Sequence, residues 1–166
     1  IEEVASRELD KTFQLLPQPQ SIELTSGKGI NYWELSYILS SDTTSIPILG
    51  DMLNKLPRCP RKGKPIRLQL TSQHVPASPE GYMMEINEKG VCISARTMTG
   101  IFYGCQTLEQ LMEDSRDFNI LIPAMLIIDY PAISYRAVHF DVKHHLDRME
   151  YYYQEIDKLA RYKINA

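Results

Sequence analysis

A strand followed at once by an amphipathic helix constrains a chain more than any composition does, because such a unit cannot bury its own faces. Residues 131–166, PAISYRAVHFDVKHHLDRMEYYYQEIDKLARYKINA, have that form. Ile133 to Val142 is rich in β-branched and aromatic residues and predicts a strand. Asp147, with Glu150 three residues later, predicts a capping box. Met149, Tyr152, Tyr153, Ile156, Leu159 and Ala160 then recur at the spacing of a helix with one apolar face. Lys163-Ile164-Asn165 reads as the approach to another strand. A parallel strand needs neighbours, and helices on both sides, so this stretch predicts the opening of a larger α/β domain that continues beyond Ala166.

Upstream the pattern changes. Residues 1–14 are polar with a weak helical period and read as a lead-in segment. Leu15-Leu16-Pro17-Gln18-Pro19 is held extended by its prolines. Ser21 to Thr25 alternates as a strand, and Asn31 to Leu39 predicts a second. Ile48, Leu49, Met52, Leu53 and Leu56 have helical spacing within Ile46 to Leu56, and a basic, proline-rich loop follows to Pro65. Ile66 to Leu70 alternates cleanly. Gly81 to Ile86, a turn at Asn87 to Gly90, and Val91 to Ala95 form a hairpin. In the helix that follows, Ile101, Gly104, Cys105, Leu108, Leu111 and Met112 share a face, and Gly100 with Gly104 predicts a close approach to the sheet. Asp114 to Asn119 reads as a polar turn, Ile120 to Ile128 as a strand broken by Pro123, and Asp129-Tyr130-Pro131 as a hinge. Five or six antiparallel strands with two helices on one face make residues 15–130 an α+β domain.

Bulk properties exclude some functions. The net charge of -3 gives no reason to expect nucleic acid or an anionic membrane as partner. No apolar run approaches the ~20 residues of a membrane span. The three cysteines, Cys59, Cys92 and Cys105, are odd in number and lack metal-site spacing; Cys92 and Cys105 read as buried packing residues. His139, Asp141, His144 and His145 are loosely spaced and supply no tetrahedral set, so no metal and no cofactor is predicted. Glu113-Asp114 reads as a solvated helix end, and Tyr152 and Tyr153 as core rather than a sugar-stacking platform, since consecutive helical residues diverge.

Two sets of residues carry a family resemblance. Tyr135-Arg136, Asp141, His145, Ile156-Asp157 and Tyr162-Lys163-Ile164-Asn165 resemble the opening of the catalytic barrel of glycoside hydrolase family 20, the β-N-acetylhexosaminidases. The run LLPQPQSIEL, and Ala95, Gly100, Gly104, Gln106-Thr107-Leu108 and Gln110-Leu111, are similar to the small N-terminal domain of the same enzymes. The resemblance implies a zincin-like α+β domain over 15–130, then over 131–166 the first βα unit of a (β/α)8 barrel, a fold of about 250 residues. It also implies removal of terminal β-linked N-acetylglucosamine or N-acetylgalactosamine, with the sugar's own acetamido oxygen as nucleophile. An adjacent Asp-Glu pair would serve that reaction, one carboxyl protonated and one ionised. The pair is expected beyond Ala166, so the 166-residue chain alone is predicted to be inactive.

By resemblance Arg136 binds the hydroxyls at carbons 3 and 4 of the sugar; a guanidinium fork suits a vicinal diol. Its alternative is pairing with an inner carboxylate of the barrel. Asp141, His144 and His145 stand where barrel function concentrates and read as hydrogen-bonding supports of the site. His144 replaces the family's usual arginine and Ala137 its frequent glycine, marking a divergent branch. The implied partner is an N-acetylhexosamine-containing glycan, and the implied location is periplasmic or secreted. An unpaired strand in 131–166 would template self-association. Two alternatives stand beside this reading. One is a family 84 hydrolase acting on O-linked N-acetylglucosamine, whose first barrel strand runs more like Arg-Gly-x-x-Glu-Gly-Phe-Tyr-Gly than Arg136 to Asp141 does. The other is a non-enzymatic module binding a glycan or another domain.

Overall fold

The computed structural model describes residues 13–40, 63–143 and 147–166. The lead-in segment up to residue 12, the helix expected at Ile46 to Leu56, most of the basic loop, Cys59, and His144 with His145 lie outside the described residues.

Six strands form one sheet: β1 (Ser21–Leu24), β2 (Leu35–Ser40), β3 (Lys64–Leu70), β4 (Tyr82–Asn87), β5 (Gly90–Ala95) and β6 (Met125–Asp129). Their order is β1-β6-β4-β5-β3-β2. The expectation of an all-antiparallel sheet is corrected. β1/β6, β6/β4 and β4/β5 are antiparallel, but β5/β3 and β3/β2 are parallel. A tight turn can join β4 only to an antiparallel β5, whereas a parallel pair needs a crossover of about a dozen residues or more. Residues 41–63 supply that length between β2 and β3. The second strand also starts later than expected. Tyr32–Glu34 is a single 3-10 turn, because Glu34 Oε2 folds back to accept the Asn31 backbone N–H at 3.1 Å.

Period-two alternation sorts the sheet faces. Leu68, Ile93, Met84 and Ile127 lie in register across β3, β5, β4 and β6, all buried. Helix α1 (Met98–Phe118) covers that face. Every residue of its expected apolar face is buried, from Ile101 to Met112. The glycine pair does what its spacing suggested. A Cβ on Gly104 would meet Ile93 Cγ2 at 2.5 Å, and one on Gly100 would meet Ala95 Cβ at 2.7 Å. Thr97 caps the helix by accepting the Gly100 N–H. The polar turn expected from Asp114 is instead helical to Phe118. The helix ends at Asn119 in the left-handed region (φ 52°), and the buried Ser115 hydroxyl donates to Ile120 O at 2.5 Å. Glu113 and Asp114 are not the helix end, and both are partly buried: Glu113 pairs with Arg161, and Asp114 Oδ2 accepts the Gln14 N–H. On the opposite face of the sheet Arg67, Cys92 and Glu85 align, leaving Cys92 half-buried rather than buried; Cys105 is buried.

The segment 131–166 departs furthest from expectation. Ile133 to Val142 is not a strand; Tyr135 is 71% exposed. Only its start is paired: Arg136 O accepts the Asn165 and Ala166 N–H groups, and Val138 N–H donates to Ala166 O. Among the described residues no further backbone lies alongside to extend a ladder. Helix α2 (Met149–Arg161) forms, but no residue of it is buried; Ile156 is 56% exposed. Tyr152 and Tyr153 are therefore not core in this structure. The Asp147–Glu150 capping box is absent: Arg148 is the N-cap, without a side-chain bond, and the Asp147 N–H donates to Tyr152 Oη.

Candidate functional site

Charged side chains converge where segment 131–166 meets the sheet layer. Strand β6 places Met125, Ile127 and Asp129 on the inward parity, so Asp129 ends buried. A buried carboxylate needs a partner. Lys163 supplies it: its Nζ donates to Asp129 Oδ2 at 2.6 Å and to Tyr82 Oη at 3.1 Å, and sits 5.1 Å from the Tyr82 ring centroid. Tyr82 Oη lies 2.6 Å from Thr107 Oγ1, and Asp129 Oδ1 accepts the Gln20 N–H at 3.3 Å. Lys163 itself is 6% exposed, with φ 60°, a conformation rare for residues other than glycine and held only by its surroundings. Burial pulls the Lys163 ammonium below the ordinary lysine range, and the Asp129 charge pushes back against that. Burial drives the Tyr82 phenol well above the usual tyrosine value, with Asp129 adding to the rise.

Arg136 is the second focus. Its Nε donates to Lys163 O at 2.7 Å and Nη1 to Ile133 O at 2.6 Å. Nη2 pairs with Glu80 Oε2 and reaches Tyr103 Oη at 3.5 Å. Four of the five guanidinium N–H donors are thereby engaged by protein acceptors. Glu80 is shared: its Oε1 accepts from Asn165 Nδ2 at 3.0 Å. Asn165 Oδ1 in turn accepts the Arg136 backbone N–H at 2.9 Å. Burial, then the Glu80 charge, raises the Tyr103 phenol. The carboxylate beside Arg136 comes from the sheet layer, not from 131–166. A third cross-pair, Arg161 to Glu113 at 2.5 Å, ties α2 to α1. Gln110 fastens the same corner by accepting the Leu16 N–H and donating to Leu16 O and Arg161 O.

A cavity of about 280 Å³ opens between these groups, walled in part by Pro17, Gln20, Tyr103, Tyr130, Ile133 and Arg136. Asp141 is not part of it. It lies exposed near the far end of its stretch, with Oδ1 accepting the Lys143 N–H. Among the described residues no group of three or more His, Cys, Asp or Glu could hold a metal ion. No described helix is long and apolar enough to cross a membrane.

Sequence reasoning singled out Arg136 but missed Glu80, Asp129 and Lys163. A signal existed for Asp129, since its parity matches Met125 and Ile127. Nothing in the sequence marked Glu80, which ends a loop.

Residues 12–130 match the sequence model described as glycosyl hydrolase family 20, domain 2. A β-N-acetylhexosaminidase of Cellulomonas fimi is 27% identical, over 92% of this chain and 33% of its own length. A β-hexosaminidase of Porphyromonas gingivalis is 37% identical, over 55% of this chain and 12% of its own. Among solved structures, a glycoside hydrolase family 20 β-N-acetylglucosaminidase superposes with a TM-score of 0.71 at 29% identity, covering 91% of this chain and 29% of that one. The N-acetyl-β-hexosaminidase of Streptomyces plicatus gives 0.72 at 26% identity, covering 93% and 33%. The chain thus spans a third or less of the length of these relatives.

Proposed function

Because the chain belongs to glycoside hydrolase family 20, we propose that the whole protein removes terminal β-linked N-acetylglucosamine or N-acetylgalactosamine from glycans. The match of residues 12–130 to domain 2 of that family carries the reading. In it, residues 15–130 are the zincin-like accessory domain and residues 131–166 open a (β/α)8 barrel. The start of a parallel pairing between Arg136–Val138 and Asn165–Ala166 supports the second part. The reaction is substrate-assisted, with the acetamido oxygen attacking the anomeric carbon. Asp and Glu neighbours on a later barrel strand orient that group and protonate the leaving oxygen. This chain supplies scaffold rather than the acid–base pair.

Arg136 has two readings. Sugar binding, which the family resemblance suggests, requires donors that the guanidinium now gives to Glu80, Lys163 O and Ile133 O. Their engagement favours a role at the junction. The test is hydrolysis of aryl β-N-acetylglucosaminide and β-N-acetylgalactosaminide by the full-length protein and by residues 1–166. Activity in the full-length protein alone is expected. A folded full-length protein inert on both substrates overturns the assignment.

A further inference from the structure

We propose that Glu80 and the Asp129–Lys163 pair are positioning residues: together they fix the register of the two barrel-opening segments, so that the accessory domain sets the geometry from which the catalytic barrel is built. The proposal rests on the functional reading above.

Among the described residues, three ion pairs cross the junction with the same polarity. The carboxylates Glu80, Glu113 and Asp129 belong to residues 13–130, in a loop, on α1 and on β6; the cations Arg136, Arg161 and Lys163 belong to segment 131–166. The other ion pairs of the described residues, Lys64–Glu34, Arg116–Asp117 and Lys158–Glu155, each lie on one side of the junction. A junction of one polarity fixes orientation, because any slip brings a cation out of reach of its carboxylate.

The connectivity is tighter than a set of independent pairs. Glu80 grips Arg136 with one oxygen and Asn165 with the other. Those two residues are backbone partners, since Arg136 O accepts the Asn165 N–H. One carboxylate therefore clamps a residue of each nascent strand. Lys163 joins the second pair to the first: its ammonium sits on Asp129 while its carbonyl accepts Arg136 Nε. A one-residue shift of Lys163 would leave a buried Asp129 charge uncompensated, which is strongly destabilising. Glu80 is itself fixed from behind. Gly81 N–H closes a turn onto Ser78 O, and Gly100 of α1 leaves room for that turn, since a Cβ there would strike Gly81 O. The accessory layer thus presents a template, and the extended segment that takes its register leads towards Asp141 at its far end. Small displacements of catalytic groups cost up to about a hundredfold in rate.

The experiment uses the full-length protein. Glu80→Ala, Glu80→Gln and Lys163→Met are compared with Ser115→Ala, which weakens the same layer away from the seam. Concentrations of active sites are titrated with a tight-binding thiazoline of N-acetylglucosamine. The seam variants are expected to lose about tenfold or more in kcat, with KM within about twofold. Glu80→Gln, which keeps one acceptor for Arg136, should lie between Glu80→Ala and wild type, and Ser115→Ala should match wild type in both constants. Hydrogen exchange at Val138, Asn165 and Ala166 should accelerate in the seam variants alone. Unchanged kcat and unchanged exchange in folded seam variants overturn the proposal. A rise in KM at constant kcat overturns it too and returns Arg136 to the sugar. If Lys163→Met fails to fold, the two half-buried Glu80 variants decide. If the wild-type protein is inert while exchange still responds, the register role stands and the hydrolase reading falls.

Discussion

Gly104→Ala measures how closely helix α1 lies on the sheet. In a helix interior the change is favourable by about 1 kcal/mol, since alanine is the better helix former. Here the new methyl meets Ile93 Cγ2 at 2.5 Å and Tyr82 Cδ2 at 3.2 Å, against an ordinary contact of roughly 3.5–4 Å. Neither neighbour can yield cheaply. Ile93 is β-branched, hence stiff at its first torsion, and fully buried. The Tyr82 ring is held by Thr107 and Lys163. The overpacking cost therefore belongs near the top of the usual range of about 1–3 kcal/mol. The net loss is about 2 kcal/mol, or about 4–8 °C in Tm for a chain of this size. Gly27→Ala is the control: its Cβ would meet Ala124 Cβ at an ordinary 3.5 Å. The lost freedom of the unfolded chain should there stabilise by about 0.4–1 kcal/mol. Urea unfolding followed by far-UV circular dichroism compares the two. A Gly104→Ala chain as stable as wild type would refute the close approach.

Three further outcomes follow from buried polar groups. Gln110→Leu removes three hydrogen bonds and leaves the Leu16 N–H and C=O without their partner, so unfolding should become easier by about 2–3 kcal/mol; a midpoint within error of wild type would contradict this. Burial pushes the Cys105 thiol up to about 12 from 9.0, which cuts its thiolate fraction by about a thousandfold; native-state alkylation read by peptide mass spectrometry should label Cys92 well before Cys105. The Tyr82 phenol keeps its proton in the folded state above the tyrosine range. Its contribution is therefore complete below pH ~10 and declines as pH rises beyond it, since the unfolded chain releases the proton first. Lys163 acts in the opposite sense, because its lowered value makes folding gain as pH rises towards the ordinary lysine range. Wild type should accordingly lose its advantage over Tyr82→Phe progressively as pH rises above ~10, read from urea midpoints at each pH.

What the sequence conveyed depends on whether a signal was local. The hairpin of β4 and β5 and the apolar face of α1 were legible because alternation and helical spacing are local. The glycine pair was legible because glycine four residues from glycine on a helix face has little use except close approach. Strand direction was not legible, since nothing within Ile66 to Leu70 records that its neighbours run parallel. The end of α1 was missed for a related reason. Asp114 to Phe118 looks like a turn until Glu113 and Asp114 find Arg161 and Gln14, partners far away in the sequence.

The same distinction accounts for Arg136 and Lys163. Both stand in a segment whose residues read as a strand and a helix that need burial, yet that segment stays largely exposed among the described residues. Its tightest packing is instead electrostatic: Lys163 is buried although every residue of α2 before it is not. The apolar stripe told what the segment would need, while its charges told where it attaches. Charge reveals an attachment only when its partner is known, and Glu80 and Asp129 precede their cations by 56 and 34 residues. A parity test on β6 would have recovered half of this. Met125, Ile127 and Asp129 share the inward face, and a carboxylate in that position demands a cation from outside the sheet. Lys163, where helix α2 turns back towards that sheet, is the residue that meets the demand.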